Sequence, residues 1–253
     1  MPGAVWLGIV QGATEFLPIS SSGHLVLARW WLGVVAPGAG LEVALHLGTL
    51  VAMGVMLRGD VAALMSGIAR GDPAARRLAG LLGVGTLPAA AAGAVLAGAW
   101  AGWLFQPGVV GVGFLATTLL LATTPPVRAG VRGWEHLGLA DVVVVGLAQA
   151  AALVPGLSRS GSTMVAARWR GLAPQAAARL SFLLAMPITA GAALLELPRA
   201  GPLPWAGMVA ALATGLVALP LARAALASLH HWRAFSVYTG LMAVLAFWQA
   251  WRG

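Results

Sequence analysis

The sequence predicts an all-α integral membrane protein, an inverted-topology repeat of six transmembrane helices plus two re-entrant helical hairpins. Three observations predict it. Of the 253 residues, 60% are hydrophobic and 9% charged, where soluble domains carry about 25% charged residues. Apolar runs close to the roughly 20 residues that a bilayer crossing needs recur along the chain. Two polar stretches interrupt them, Gln11–His24 (QGATEFLPISSSGH) and Gln149–Thr163 (QAAALVPGLSRSGST), and they share an outline 138 positions apart.

Taken in order, the apolar run Ala4–Val10 is too short to cross and ends in the first polar stretch, and a second short run, His24–Gly33, follows. Two half-length helices around a Pro-Ile-Ser-Ser-Ser-Gly break predict a hairpin that enters and leaves on one side. Spans are expected at Leu41–Leu57, Leu78–Ala99 and Pro107–Thr123, with a loop over Arg58–Arg77. After a polar linker (Thr124–His136) the pattern restarts with a short run, Leu139–Leu153, a break at Pro155–Gly161 and a short run, Ser162–Arg170. Spans close the chain at Leu180–Leu197, Leu203–Leu221 and Phe235–Trp251. Pro88, Pro187 and Pro220 fall inside spans, where membranes tolerate kinks.

Gln11, Ser20, Ser22 and Gly23 recur as Gln149, Ser158, Ser160 and Gly161, Ala28-Arg29-Trp30 recurs as Ala167-Arg168-Trp169 and Leu50-Val51-Ala52-Met53 as Leu183-Leu184-Ala185-Met186, in the same order, which marks an internal repeat. The expectation is one membrane domain over 1–253, with repeat 1 at about 1–123 and repeat 2 at about 137–253. Three crossings per half turn the second half upside down. With the 58–77 segment on the cytoplasmic side, eleven arginines lie there and three outside, and Arg159 sits in the second break. Such a positive-inside bias places both termini on the outer side. Paired broken helices in inverted repeats commonly meet at a midplane binding site.

Composition excludes several classes. The net charge of +8 comes from scattered arginines with no basic stripe or aromatic RNA motif, so no nucleic-acid partner is expected. The chain has no cysteine, which removes disulfides, thiolate nucleophiles and Cys-ligated metals. No basic segment precedes the first apolar run, so no cleavable signal peptide is expected. Nothing matches a Gly-x4-Gly-Lys phosphate loop. Tryptophans fall mostly at span ends, as an interfacial belt requires. Gly98–Gly102 fits a small-residue packing pattern and raises a homodimer.

The polar groups carry the chemistry. A deep Arg159 needs an anion, because a charge at mid-bilayer costs roughly 2.5–3.5 kcal/mol on insertion scales. A ligand phosphate suits its planar fork; a structural pair with Glu15 is the alternative. Both breaks open helices with hydroxyl-rich segments, and helix N-termini favour phosphate. Gln11 and Glu15 lie four apart, on one helix face, and could ligate a hard divalent cation, Mg2+ or Ca2+. His24, beside Ser20 and Ser21, is a candidate base or orienting group for a serine nucleophile. Glu42 and His46 form another i,i+4 pair, for which an accessory metal site and a structural role are both open.

With these residues in view, Gln11–His24 and Pro155–Thr163 resemble the two signature motifs of the bacterial undecaprenyl-diphosphate phosphatases, the bacitracin-resistance family. The likeness extends through Leu41–Gly48 and Ser181–Pro187. It implies removal of the terminal phosphate of undecaprenyl diphosphate, giving the carrier lipid for peptidoglycan synthesis, with a divalent cation and a pocket open to the outer side of the inner membrane. It further implies Glu15, Ser21 and His24 as catalytic residues and Glu15 with Gln11 at the metal. Arg159, Ser158, Ser160, Thr163 and Ser20 would bind substrate. Three positions depart from the family pattern: Gln11 for a common Glu, His46 for a usual Gln, and Arg179 for a usual Glu. Whether Ser21 attacks or His24 activates water stays open. A lipid flippase or anion transporter is the rival reading, since such repeats are typical of transporters.

Overall fold

The computed structural model describes residues 2–33, 39–96, 101–126, 132–226 and 229–252. Among them the chain is helical, and the sole β feature is a single bridge between Arg132 and Leu172. The helices are α1 (Pro2–Thr14), α2 (Ser21–Leu32), α3 (Ala39–Met56), α4 (Arg58–Ala69), α5 (Pro73–Leu96) and α6 (Ala101–Leu104). They continue with α7 (Pro107–Ala122), α8 (Leu139–Ala151), α9 (Arg159–Trp169), α10 (Pro174–Glu196), α11 (Trp205–Leu226) and α12 (Leu229–Arg252).

The chain is an all-α, multi-pass membrane protein. Among the described residues, four helical segments are long and apolar enough to cross a bilayer: Pro73–Leu96, Pro174–Arg199, Trp205–Leu226 and His231–Arg252. The bent pair α3 and α4 can make a fifth. The sixth expected span, α7, is apolar but has 16 residues, about 24 Å of helix against a core of about 30 Å. It packs along α12, where Thr118 and Thr239 hydroxyls meet at 2.9 Å and Ser236 Oγ donates to the Thr118 carbonyl at 2.9 Å. Pro88, Pro187 and Pro220 lie within α5, α10 and α11.

Both short-run pairs form broken helices. The segment 15–20 separates α1 from α2, and 152–158 separates α8 from α9. At 11 to 13 residues each, none of the four half-helices reaches across a bilayer alone. α2 and α9 begin earlier than the apolar runs suggested, at Ser21 and Arg159, because Ser20 and Ser158 cap them.

One expected loop is a helix. The 58–77 segment contains α4, set at 73° to α3. It has no proline before Pro73, and Val61 and Leu64 of α4 pack against the main apolar core. The Gly98–Gly102 packing pattern lies largely outside the described residues.

The half-helices dock across the molecule. α1 packs on α11 and α8 on α5, through equivalent glycines. A Cβ on Gly8 would stand 2.3 Å from the Gly207 carbonyl oxygen, and one on Gly146, 138 positions later, 2.5 Å from that of Gly85. Only glycine allows backbones so close.

Many of the arginines assigned to the cytoplasmic side gather at one end of the bundle. Asp141, 2% exposed, accepts from Arg132 Nη2 and Arg170 Nε, each at 2.8 Å. Arg77 donates to the Leu137 carbonyl, and Arg168 to Leu172, Pro125 and Pro126. Arg179 pairs with Asp60 and lies 3.6 Å over the Trp134 ring. Its interfacial contacts are therefore within the protein.

Candidate active site

The site forms where the two breaks meet. At each, a serine caps the following helix: Ser20 Oγ accepts from Gly23 N at 3.4 Å, and Ser158 Oγ from Gly161 N at 3.0 Å. Each cap also faces the serine two residues on, at 3.3 Å, as Ser20–Ser22 and Ser158–Ser160. Ser is a favoured N-cap because its short side chain reaches an N–H that the helix leaves free. The breaks are pinned together by Ser160, whose Oγ donates to the Leu17 carbonyl at 2.7 Å. Gly156, at φ 92°, holds the second break against α7, where Thr117 Oγ1 donates to its carbonyl and accepts from Ser158 N, both at 2.9 Å.

The helix starts that follow carry Ser21 and Arg159, equivalent first residues of α2 and α9. Both converge on Glu15, which is 6% exposed. Glu15 Oε2 accepts from Ser21 Oγ at 2.5 Å and from Gln11 Nε2 at 3.0 Å, while Oε1 accepts from Arg159 Nη2. The expectation of a ligand for Arg159 and its structural alternative thus meet in one geometry: without an added anion, Arg159 rests on Glu15. A buried charge requires some such partner.

Beside this cluster opens a cavity of about 300 Å3. Its polar wall holds Glu15, Ser20, Ser21, Ser22 and Arg159, joined by Glu42, His46 and Glu196; Phe105, Leu153, Leu157 and Ile188 line an apolar side. Three carboxylates and one guanidinium stand on this wall, and Glu42 is paired with Arg29 behind it. The cavity lies toward the start of α3 and the end of α10, where Glu42 pairs with Arg29 at 2.5 Å, away from the arginine-rich end.

Several expected site residues stand elsewhere. His24 is not on the cavity wall. Its Nδ1 meets the Ser20 carbonyl at 2.7 Å and its Nε2 the Tyr238 hydroxyl at 2.7 Å. The ring stacks on Tyr238 and sits edge-on to Phe114. Ser158 and Ser160 are spent on the cap and the pin. Thr163, fully buried, bonds the carbonyls of Arg159 and Ser160 and meets Ser181 Oγ at 2.6 Å. Of the five expected substrate contacts, the cavity wall includes Ser20 and Arg159.

Among the described residues, no three of His, Cys, Asp and Glu converge to hold a metal. The Gln11 side-chain oxygen is buried and without a hydrogen-bond partner, beside the Glu15 carboxylate. This donor set fits a hard cation that takes most ligands from phosphate and water, and does not fit one needing a protein cage. His46 Nδ1 meets the Glu42 carbonyl oxygen at 2.8 Å, within its own helix.

Residues 4–245 match the family model described as bacitracin resistance protein BacA. The chain belongs to that family. It is 42% identical over 199 residues to an undecaprenyl-diphosphatase of Idiomarina loihiensis, covering 77% of this chain and 75% of the relative. Similar matches are the undecaprenyl-diphosphatases of Rubrobacter xylanophilus, 44% over 203 residues, with 77% and 75% covered, and Thermomicrobium roseum, 45% over 208, with 76% and 74%. Both breaks and all the cavity residues named above lie inside the BacA match. So does Tyr238, which sequence reasoning missed. Its signal was slight: it is the sole tyrosine of the chain, set in the last span. Thr117 and Ser181 were missed as well, since hydroxyls inside apolar helices commonly bond their own backbone.

Proposed function

We propose that this protein is an undecaprenyl-diphosphate phosphatase, which hydrolyses the terminal phosphate of undecaprenyl diphosphate and returns the monophosphate carrier lipid to peptidoglycan synthesis. The observation that carries the reading is the single carboxylate of Glu15, holding a serine hydroxyl on one oxygen and a guanidinium on the other, at the wall of a cavity with an apolar side. Family membership and the names of the relatives agree with it.

In this mechanism the lipid tail lies toward the apolar wall and the diphosphate displaces Glu15 from Arg159. Arg159 turns to the phosphate oxygens, which it can meet bidentately. Glu15, freed of its counterion, takes the Ser21 proton as Ser21 Oγ attacks the terminal phosphorus. The bond to the bridging oxygen breaks, and undecaprenyl phosphate leaves with that oxygen. Glu15 passes its proton to the phosphates as the lipid monophosphate departs, then takes one from the water that attacks the phosphoserine; the Ser21 Oγ–P bond breaks, Glu15 returns that proton to Ser21 Oγ, and inorganic phosphate is released. This assigns the base to Glu15 on geometry, since Ser21 points at it and His24 does not reach the cavity. Ser20 contributes its position at the cavity wall and the cap of α2.

A divalent cation, Mg2+ or Ca2+, would be held by Glu15 and Gln11 together with the phosphates, and supplies charge neutralisation at a wall that carries three carboxylates. We place the cavity mouth and both termini on the outer side of a bacterial inner membrane. The arginine cluster at the opposite end of the bundle supports that orientation through the positive-inside rule. We read the two broken-helix halves as an inverted repeat, a reading supported by the matched caps and the Gly8 and Gly146 contacts.

The deciding experiment is phosphate release from undecaprenyl diphosphate by purified protein in detergent with Mg2+ or Ca2+. Release that is absent from both wild type and an Arg159→Ala control would refute the enzyme reading and favour lipid or anion transport.

A further inference from the structure

The first break contains the one described non-glycine residue with a positive φ, Ser20 at φ 67°, ψ 92°. L-residues rarely adopt this backbone, so the surroundings must hold it there. Ser20 immediately precedes Ser21, so its peptide plane sets the backbone from which Ser21 Oγ reaches Glu15. Two donors grip its carbonyl: the backbone N–H of His24 at 3.2 Å and His24 Nδ1 at 2.7 Å. A carbonyl only accepts, so Nδ1 carries a proton, and in the neutral ring Nε2 is the acceptor. That lone pair is occupied by the Tyr238 hydroxyl at 2.7 Å, with the rings stacked at 5.6 Å and 5°.

The second break supplies a control inside the same molecule. Ser158 stands at φ −66°, an ordinary value, and its carbonyl is bonded by the Ser162 backbone N–H at 2.8 Å. Ser162 is the repeat mate of His24, and its side-chain oxygen is buried with no hydrogen-bond partner. Where the backbone is unstrained, no side chain grips the carbonyl. Where it is strained, an imidazole does, backed by a residue from the last helix.

We infer that His24 and Tyr238 are positioning residues: Tyr238 fixes the ring and tautomer of His24, and His24 holds the Ser20 carbonyl so that Ser21 Oγ faces Glu15. Neither moves a proton in the reaction. The inference rests on the phosphatase reading for its kinetic test. It gives Tyr238, on α12 and 214 positions from His24, a part in a site whose cavity wall includes no residue of that helix.

The test compares His24→Asn, His24→Gln and Tyr238→Phe in the full chain, with melting temperatures as a check on folding. An Asn amide nitrogen stands near the place of Nδ1 and can still donate to Ser20, whereas a Gln amide stands near Nε2 and cannot. His24→Asn is expected to keep at least about a tenth of wild-type kcat, and His24→Gln to fall about 100-fold. Tyr238→Phe is expected to fall about threefold to tenfold, the scale of one lost hydrogen bond. All three should keep the wild-type KM and the wild-type pH dependence of kcat. The inference is overturned if His24→Asn is as inactive as His24→Gln, or if it loses the limb of the pH profile that reports the base. Absence of phosphate release by wild type would instead count against the phosphatase reading. Positioning would then be read from the imidazole 15N signals of His24. A fixed Nδ1–H tautomer whose Nε2 signal shifts in Tyr238→Phe supports it, and signals indifferent to that change refute it.

Discussion

The two breaks share a sequence outline and a cap, and they do opposite work. In each, a serine oxygen accepts from the glycine three residues on, and the next residue opens a helix. In the first that residue is Ser21, bonded to Glu15; in the second it is Arg159, bonded to the same carboxylate. Equivalent positions thus place a serine hydroxyl and a guanidinium on the two oxygens of one carboxylate. What differs is backbone and company. The first break bends through a positive φ and is open to the cavity. The second takes its positive φ at a glycine, Gly156, keeps Ser158 at an ordinary angle, and has its hydroxyls buried in Ser158, Ser160 and Thr163. A repeat can therefore keep its scaffold in both halves while confining reactive groups to one.

Breaking this asymmetry at its centre should have the largest effect. Ser21→Ala removes the nucleophile and is expected to lower kcat by about 10^3-fold or more, measured as phosphate release, whereas full turnover in that variant would return the attack to water. Glu15→Gln removes the base and the anchor of Arg159, with a loss of about 10^2- to 10^4-fold. Arg159→Lys keeps the charge but loses the planar fork, and KM should rise about tenfold or more while the melting temperature holds. The caps sharpen the comparison further. Ser20→Ala and Ser158→Ala should each cost about 1 kcal/mol of stability, seen in thermal melts, yet Ser20→Ala should lose more activity because Ser21 follows it directly at the cavity. Equal activity losses would say that both caps serve the scaffold alone. Farthest from both breaks, Asp141→Asn should cost about 2 kcal/mol or less, since its arginine partners are 38% and 41% exposed, and should leave KM unchanged.

Helix class, the two broken pairs and the pairing of Gln11 with Glu15 were legible because each rests on local pattern: apolar run length, a Pro/Gly/Ser break, or an i,i+4 spacing. So was the meeting of the breaks, from the repeat. The α4 segment was expected only as a loop between spans, because its helix is held by Val61 and Leu64 packing on the apolar core and is too polar to read as a crossing. The roles of Ser158, Ser160 and Thr163 were not legible. A hydroxyl that caps a helix and one that binds phosphate have the same letter, and only burial separates them. Tyr238 could not be placed for a similar reason. Its partner is brought to it by packing of α2, α7 and α12 and by no sequence period.

The close approach of Gly8 to Gly207 also has a consequence for how the chain is made. The two residues are about 200 positions apart, and at about 5–20 residues per second the ribosome needs roughly 10–40 s to deliver the second after the first. Until then α1, with 13 residues and a polar end, lacks the length to cross a bilayer and has only the partial support of α2 and α3, where Leu7 meets Leu25, Leu41 and Leu45. Its glycine face stays uncovered until α11 arrives. A Gly8→Val variant should therefore fail during assembly, and be recovered as degraded or aggregated chain instead of as a folded protein with a lower melting point.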